Sequence, residues 1–181
     1  MPASTPIRRV LVALVLSCAL LASTTACGSS SNDATSTATP TSSAEAQKFA
    51  KTRFVANAGL AAGATYQWIV KPLKSGKFKK GADGQKFAMI KAGAAGLFAY
   101  NRLKAAVSNA QGDPTLAKAV APLSAGIASL KALPGKLRSS DSAEGAAGTF
   151  QSVIDSVKDA GKSAGAEVTD KVPSAGQLTG S

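Results

Sequence analysis

Apolar residues recur at every third or fourth position in four segments of this chain, and this spacing limits the folds open to it. The period is that of an amphipathic α-helix, in which 3.6 residues make one turn. No segment alternates apolar and polar residues for long enough to predict a strand. The sequence therefore predicts an all-α fold: a small antiparallel bundle of four to five helices behind a disordered N-terminal tether.

The first two predicted helices are Glu45–Val70 and Gln85–Asn109. We expect the first to end at the Lys-Pro step of residues 71–72, because a proline disfavours the α region for the residue before it. Gly59 and Gly63 lie one turn apart on this helix, and we expect another helix to pack closely against them. The second helix carries a stripe formed by Phe87, Ile90, Ala94, Leu97, Asn101 and Lys104.

A third segment begins where Asp113 can supply an N-cap and Pro114 the first helical residue, and it is expected to end at residues 134–135. Pro122 lies inside this segment and either kinks one helix or begins another. Asp141 is predicted to cap the last helix, which should fade near residues 161–165. Residues 166–181 are predicted to form a loose C-terminal tail.

Residues 1–26 have the organisation of a bacterial signal peptide. Arg8 and Arg9 precede an uncharged apolar run, Val10–Leu21, which suits the hydrophobic region of a leader and is too short to span a bilayer. The chain is therefore expected to be exported.

The residues around Cys27 resemble the lipobox of bacterial lipoproteins, in which the cysteine sulfur is diacylated before the leader is removed. Ala26 and Gly28 fit that motif, whereas Thr24 stands where an aliphatic residue is usual. The resemblance implies lipid attachment at Cys27 and anchoring at the outer face of the cytoplasmic membrane or the cell surface. The alternative is an ordinary secretory leader that leaves Cys27 as a free thiol.

Residues 27–44 form a tether rich in Ser and Thr that lacks any large apolar residue, so it is predicted to be disordered. As a flexible coil it would hold the following domain on the order of 20–25 Å from the membrane. The helical domain is predicted to cover residues 45–165.

Positive charge is concentrated in the first half of the domain. Residues 45–104 contain twelve basic and two acidic residues, whereas residues 105–181 contain seven of each. The densest cluster lies in a glycine-rich loop and consists of Lys71, Lys74, Lys77, Lys79 and Lys80. We expect this cluster to contact anionic lipid headgroups or wall polymers. Nucleic acid is not an expected partner outside the cell, and a merely solvated lysine face is the alternative.

Several kinds of active site are disfavoured by composition. The chain has no His and two Cys, one of which leaves with the leader, so no Ser-His-Asp arrangement, catalytic residue, metal site or cofactor is predicted. Gly81–Lys86 is interpreted as a turn into the second helix rather than a phosphate loop. Tyr66 and Trp68 are interpreted as partly buried core, with a sugar-stacking or membrane-interface role as the alternative.

The block TYQWIVKPLKSGKFKKGADGQKFAMIKAGAAGLFAYNRLKAA (65–106), followed by Asp113–Leu116, resembles uncharacterised lipoproteins and secreted helical proteins of high-GC Gram-positive bacteria. The shared features are an aromatic helix end, a Lys-Pro step, a lysine and glycine loop and an alanine-rich helix. The resemblance covers roughly residues 49–123. It implies an envelope setting of the actinobacterial type and no particular activity.

Three hypotheses follow for the function. The first is a non-enzymatic envelope lipoprotein whose basic helical domain contacts an anionic surface or a protein partner. The second is a small-molecule or lipid carrier with a pocket between the helices lined by Gly and Ala. The third is a membrane-inserted helical hairpin.

Overall fold

The structure, a computed structural model, describes residues 43–179. The predictions for the leader, for Cys27 and for the tether up to residue 42 lie outside the described residues. Within them the chain is all helical apart from turns and one extended segment, which confirms the predicted all-α bundle.

The first helix does not end at Pro72. Helix α1 (Ser43–Thr65) continues through a π-helical turn (Tyr66–Val70) into the short helix α2 (Lys71–Lys74). The N–H of Lys71 bonds the carbonyl of Tyr66, five residues earlier. Proline disrupts an α-helix because it lacks an N–H and its ring collides with the preceding turn. The wider π turn directly before Pro72 relieves that collision, so the helix gains one more turn.

A glycine ends this composite helix instead of the proline. Gly76 has a φ of 71°, the left-handed conformation that favours glycine. The N–H of Gly76 bonds the carbonyl of Leu73 and the N–H of Lys77 bonds that of Pro72, at 2.9 Å each. This pair of bonds is a Schellman motif, which satisfies the last carbonyls of a helix.

Helix α3 (Gln85–Ala110) packs against α1 in the antiparallel direction, since Arg102 bonds Asn57 near one end and Lys91 lies over Trp68 near the other. The face of α3 that is buried consists mainly of small residues. Its members are Met89, Ala92, Gly93, Ala95, Gly96, Phe98, Ala99, Leu103, Ala106 and Ala110.

The stripe of large residues on α3 therefore faces outward. Phe87, Ile90 and Leu97 are 63%, 59% and 51% exposed. Asn101 and Lys104, which continue the stripe, are exposed as well. Small residues allow close packing of helices, so the alanine and glycine face is the one that meets the bundle.

Asp113 caps the third segment as predicted, because its Oδ1 accepts from the N–H of Leu116 at 2.8 Å. The segment consists of three short helices, α4 (Pro114–Val120), α5 (Ser124–Ser129) and α6 (Leu133–Lys136). Two 3₁₀ turns, Ala121–Leu123 and Leu130–Ala132, join them. Pro122 therefore separates two helices, whereas Pro134 lies inside α6 and does not end the segment.

The helical run Pro114–Lys136 has the length and composition needed to cross a membrane, with a hydropathy of 1.3 in its most apolar window. In the bundle its larger side chains face the core: Leu116, Val120, Ile127 and Leu130 are buried. Of that window, 22% is buried inside the bundle, so the core accounts for only part of its apolar character.

Helix α7 (Ala143–Ser163) buries Phe150, Ile154 and Val157, as its apolar spacing predicts. The prediction of Asp141 as its cap is wrong, because the N-cap is Ser142, which makes no side-chain capping bond. The Ser142 hydroxyl instead donates to the carbonyl of Lys136.

The loose tail predicted after the last helix is instead ordered where the structure describes it. Gly165, with a φ of 66°, forms a second Schellman motif, and the N–H of Ala166 bonds the carbonyl of Gly161. An extended segment follows, in which Ala166 and Val168 are buried, and the chain ends in the short helix α8 (Ala175–Thr179).

This extended segment occupies the glycine face of α1, where a second helix was expected. A Cβ atom built on Gly63 would lie 2.1 Å from the carbonyl oxygen of Lys171, and one on Gly59 would lie 2.6 Å from that of Thr169. The close approach predicted from these glycines therefore exists, but its partner is an extended chain.

Candidate functional site

Of the five lysines predicted to lie in one loop, Lys71 and Lys74 lie on helix α2, and Lys77, Lys79 and Lys80 lie in the loop that follows it. One aromatic residue holds this loop to the bundle. Phe78 is 4% exposed and belongs to the core. The side chain of Gln85 donates to the Phe78 carbonyl at 3.1 Å, which ties the loop to the first turn of α3. The lysines on either side of Phe78 are all exposed, so the loop presents its charge to solvent from a fixed support.

The five lysines do not converge on one point. Lys71 and Lys77 line a groove of about 370 Å³ between the π turn and the start of α3. Lys74 and Lys79 line a second depression of about 290 Å³, together with Glu144 of α7. Lys80 lines neither of these cavities. The arrangement is a charged end of the bundle rather than a single anion pocket.

The five ammonium groups have no carboxylate within 4.0 Å among residues 43–179. The ion pairs of this part of the chain join Lys51 to Asp113 and Lys158 to Asp170, and neither involves the loop. The charge of the loop is therefore left for an external anion or for solvent counterions.

The first groove, which we name the aromatic groove, is walled by two rings and by a lysine between them. Its walls include Trp68 from the π turn and Phe87 from the first turn of α3. The Nζ atom of Lys91 lies 4.8 Å from the centroid of the Trp68 ring and 4.3 Å from that of Phe87. Both distances are within the range of a cation–π contact.

Two polar groups at this end of the first helix are buried without a hydrogen-bond partner in the described part of the chain. They are the Nε1 of Trp68 and the Oγ1 of Thr65. Leaving a buried donor unpaired costs about 1–3 kcal/mol, so such groups are uncommon.

Phe87 and Lys91 are site residues that sequence reasoning missed. The sequence pattern places Phe87 on the stripe of the second helix and gives Lys91 no role. Their one sequence signal is a spacing of four residues on a helix, which brings side chains together. Trp68 is half-buried, as expected, but Tyr66 is 52% exposed and does not belong to the core.

The pocket expected between helices lined by Gly and Ala does not appear at the glycines of α3. A Cβ atom on Gly96 would lie 2.9 Å from Leu137 and 3.1 Å from Phe150, and one on Gly93 would lie 2.5 Å from Arg138. Neighbouring side chains fill this space. The cavities described above lie at the surface instead.

Within residues 43–179, no group of three or more acidic, His or Cys side chains is arranged to hold a metal ion. Comparison of the chain with protein-family models, with curated proteins and with solved structures gave no match.

Proposed function

We propose that this chain is an exported lipoprotein, anchored through Cys27, whose basic helical domain binds the anionic surface of the membrane that carries it. The observation that supports the proposal best is the exposed, unpaired charge of the five lysines at residues 71–80. Each lysine close to an anionic bilayer contributes about 1 kcal/mol of attraction.

Apolar groups lie next to this charge, which favours a bilayer over a soluble polyanion. Phe87 and Ile90 are more than half exposed and follow the lysine loop on the first turns of α3, and Leu97 continues the same face. Apolar and aromatic side chains that project beside lysines can enter the interface while the ammonium groups stay at the headgroups.

The anchor and the tether make this contact geometrically accessible. Helix α1 begins at Ser43, two residues before the predicted start of the helical domain. A flexible coil of the length of residues 27–42 reaches on the order of 20–25 Å. A lipid anchor would thus hold the lysine loop at high effective concentration beside the headgroups.

Trp68 allows the proposed binding to the bilayer to be tested by fluorescence, because it is the single tryptophan of the whole chain. The full chain is placed in vesicles of phosphatidylcholine, with or without phosphatidylglycerol, in which part of the lipid carries brominated acyl chains. We expect bromine to quench Trp68 emission in the anionic vesicles. The quenching should fall at about 1 M salt, where the screening length is about 3 Å.

Two variants with the same loss of charge test whether the loop is responsible. One replaces Lys71, Lys74, Lys77, Lys79 and Lys80 by Gln. The matched variant replaces five exposed lysines elsewhere, which are Lys48, Lys118, Lys131, Lys136 and Lys162. Quenching should be lost in the first variant and kept in the second. Equal quenching in both variants, or in both kinds of vesicle, would overturn the proposal.

The anchor is tested separately. Cells fed an alkyne-labelled fatty acid should label the chain, and Cys27→Ser should abolish the label and release the protein from the membrane fraction. A labelled Cys27→Ser protein would rule out this attachment site.

A further inference from the structure

We infer that the aromatic groove is a binding site for one anionic amphiphile, a molecule with a phosphate or carboxylate head and an apolar body. This inference goes beyond surface attraction, because it assigns a single-molecule site with its own residues. The groove is walled by Trp68, Pro72, Phe87 and Ala88, together with the side chains of Lys71, Lys77 and Lys91.

The charge in the groove favours an anion. Three lysines line it against one carboxylate, Asp83, and both Lys71 and Asp83 are exposed. The side chain of Lys77 reaches the backbone of Asp83, and its Nζ lies 3.4 Å from the Asp83 carbonyl oxygen. An anionic head entering here would meet ammonium groups from both sides of the groove.

The walls favour an apolar body behind that head. Two aromatic rings, a proline and an alanine form the sides, and a volume of about 370 Å³ lies within the range of small-molecule pockets. Phe87 is 63% exposed, so its ring is accessible to a ligand that enters the groove.

Lys91 belongs both to the positive charge of the groove and to its aromatic walls. Its ammonium lies between the Trp68 and Phe87 rings and so holds the walls in place before a ligand arrives. The same ammonium can also donate to a phosphate or carboxylate oxygen, since it carries three N–H groups and only two rings lie beside it.

The experiment uses the full chain in nanodiscs of phosphatidylcholine, with Trp68 emission as the signal. Octyl phosphate is titrated below its micelle concentration. Octyl glucoside, which has the chain without the charge, and inorganic phosphate, which has the charge without the chain, are the comparators. We expect a saturable emission change with octyl phosphate alone. An equal response to octyl glucoside or to inorganic phosphate would overturn the inference.

Variants assign the response to the groove. Lys91→Gln and Phe87→Ala should each raise the Kd for octyl phosphate about tenfold, as expected when one charge-assisted bond or one aromatic wall is lost. The matched changes are Lys104→Gln, on the same helix beside Tyr100, and Phe49→Ala, an exposed ring on α1. Both should leave the Kd unchanged. Equal effects of the groove and the control variants would also overturn the inference.

A parallel arm distinguishes the source of the ligand and separates this inference from the proposed function. If phosphatidylglycerol in the nanodisc competes with octyl phosphate, the natural ligand is a lipid; if it does not, a soluble amphiphile is the ligand. Lys71 and Lys77 belong both to the groove and to the five lysines exchanged in the vesicle test, whereas Lys91 and Phe87 belong to the groove alone. The Lys91→Gln and Phe87→Ala variants therefore separate the two ideas. If the protein does not bind anionic vesicles but does bind octyl phosphate, the proposed function alone is rejected. If it binds the vesicles but does not bind octyl phosphate, the groove site alone is rejected.

Discussion

The backbone N–H of Lys171 donates a hydrogen bond of 2.8 Å to the carbonyl oxygen of Gly59, in the middle of the first helix. This bond joins the extended C-terminal segment to the helix that leads into the lysine loop. It forms because glycine leaves the helix surface bare at Gly59 and Gly63, so that another backbone can approach.

Gly63→Ala is expected to displace the C-terminal segment. The added methyl group would overlap the backbone of Lys171 and Val172, which cannot move aside like a flexible side chain. We expect a loss of about 1–3 kcal/mol in the free energy of unfolding and faster amide exchange at residues 166–172.

The control for that variant is Gly148→Ala on α7, where a Cβ atom would meet nothing within 4 Å. It should stabilise the protein by about 0.4–1 kcal/mol, because alanine favours the helix over glycine. If both substitutions had the same effect on stability and exchange, the tail would not depend on this contact.

Asp113 and Asp141 provide a second comparison, because the sequence predicts both as caps and the structure confirms one. Asp113→Ala removes a capping bond to Leu116 and a pairing with Lys51 at 3.6 Å. A loss of about 1–2 kcal/mol is expected in urea denaturation, and Asp113→Asn should keep most of the capping contribution. Asp141→Ala should change stability by less than about 0.5 kcal/mol, since the residue is exposed and caps nothing.

Thr65→Val is expected to stabilise the fold. The side chain is 2% exposed and its hydroxyl has no partner, so valine removes an unsatisfied group while keeping the β-branched shape. The gain should be about 1 kcal/mol by thermal or chemical denaturation. Thr52→Val is the comparison, since that hydroxyl is exposed and bonds the Lys48 carbonyl. A destabilised Thr65→Val protein would show that the hydroxyl has a partner in solution.

Phe78→Ala should release the lysine loop from the bundle. Loss of a buried phenyl ring costs about 3–5 kcal/mol, and the loop has no other large buried side chain between Lys74 and Gln85. Amide exchange at residues 77–84 should rise more than in α7. If the loop amides stayed as protected as in the native protein, the loop would be held by something other than this ring.

The sequence was sufficient to predict the helical class and the Asp113 cap. It was also sufficient to predict the buried face of α7, because there the large apolar side chains are the ones that pack in the core. On α3 the sequence contains two patterns, a stripe with the large residues Phe87, Ile90 and Leu97, and the small residues of Gly93–Gly96, which allow close approach. The small residues are the buried ones, because neighbouring segments pack closely on that side, and spacing alone does not decide between the two faces.

The aromatic groove could not be read from the sequence for a different reason. Trp68 and Lys91 are 23 positions apart, and they meet because α1 and α3 are antiparallel in one particular register. The packed C-terminal segment was missed because it has no helical period. Its buried residues, Ala166, Val168 and Pro173, are too few and too unevenly spaced to establish an alternation of period two.

The π turn at Tyr66–Val70 holds one extra residue while keeping the basic end of the molecule in phase with α1. A π turn amounts to one residue inserted into an α-helix, and its wider turn takes up the roughly 100° by which that residue would otherwise advance the helix. Deletion of one residue there would close the turn to an ordinary α-helix and leave Lys71 and Lys74 facing nearly the same way. The ring of Pro72 would then collide with the preceding turn, so a single-codon deletion would bend or end the helix at this point rather than turn its charged end.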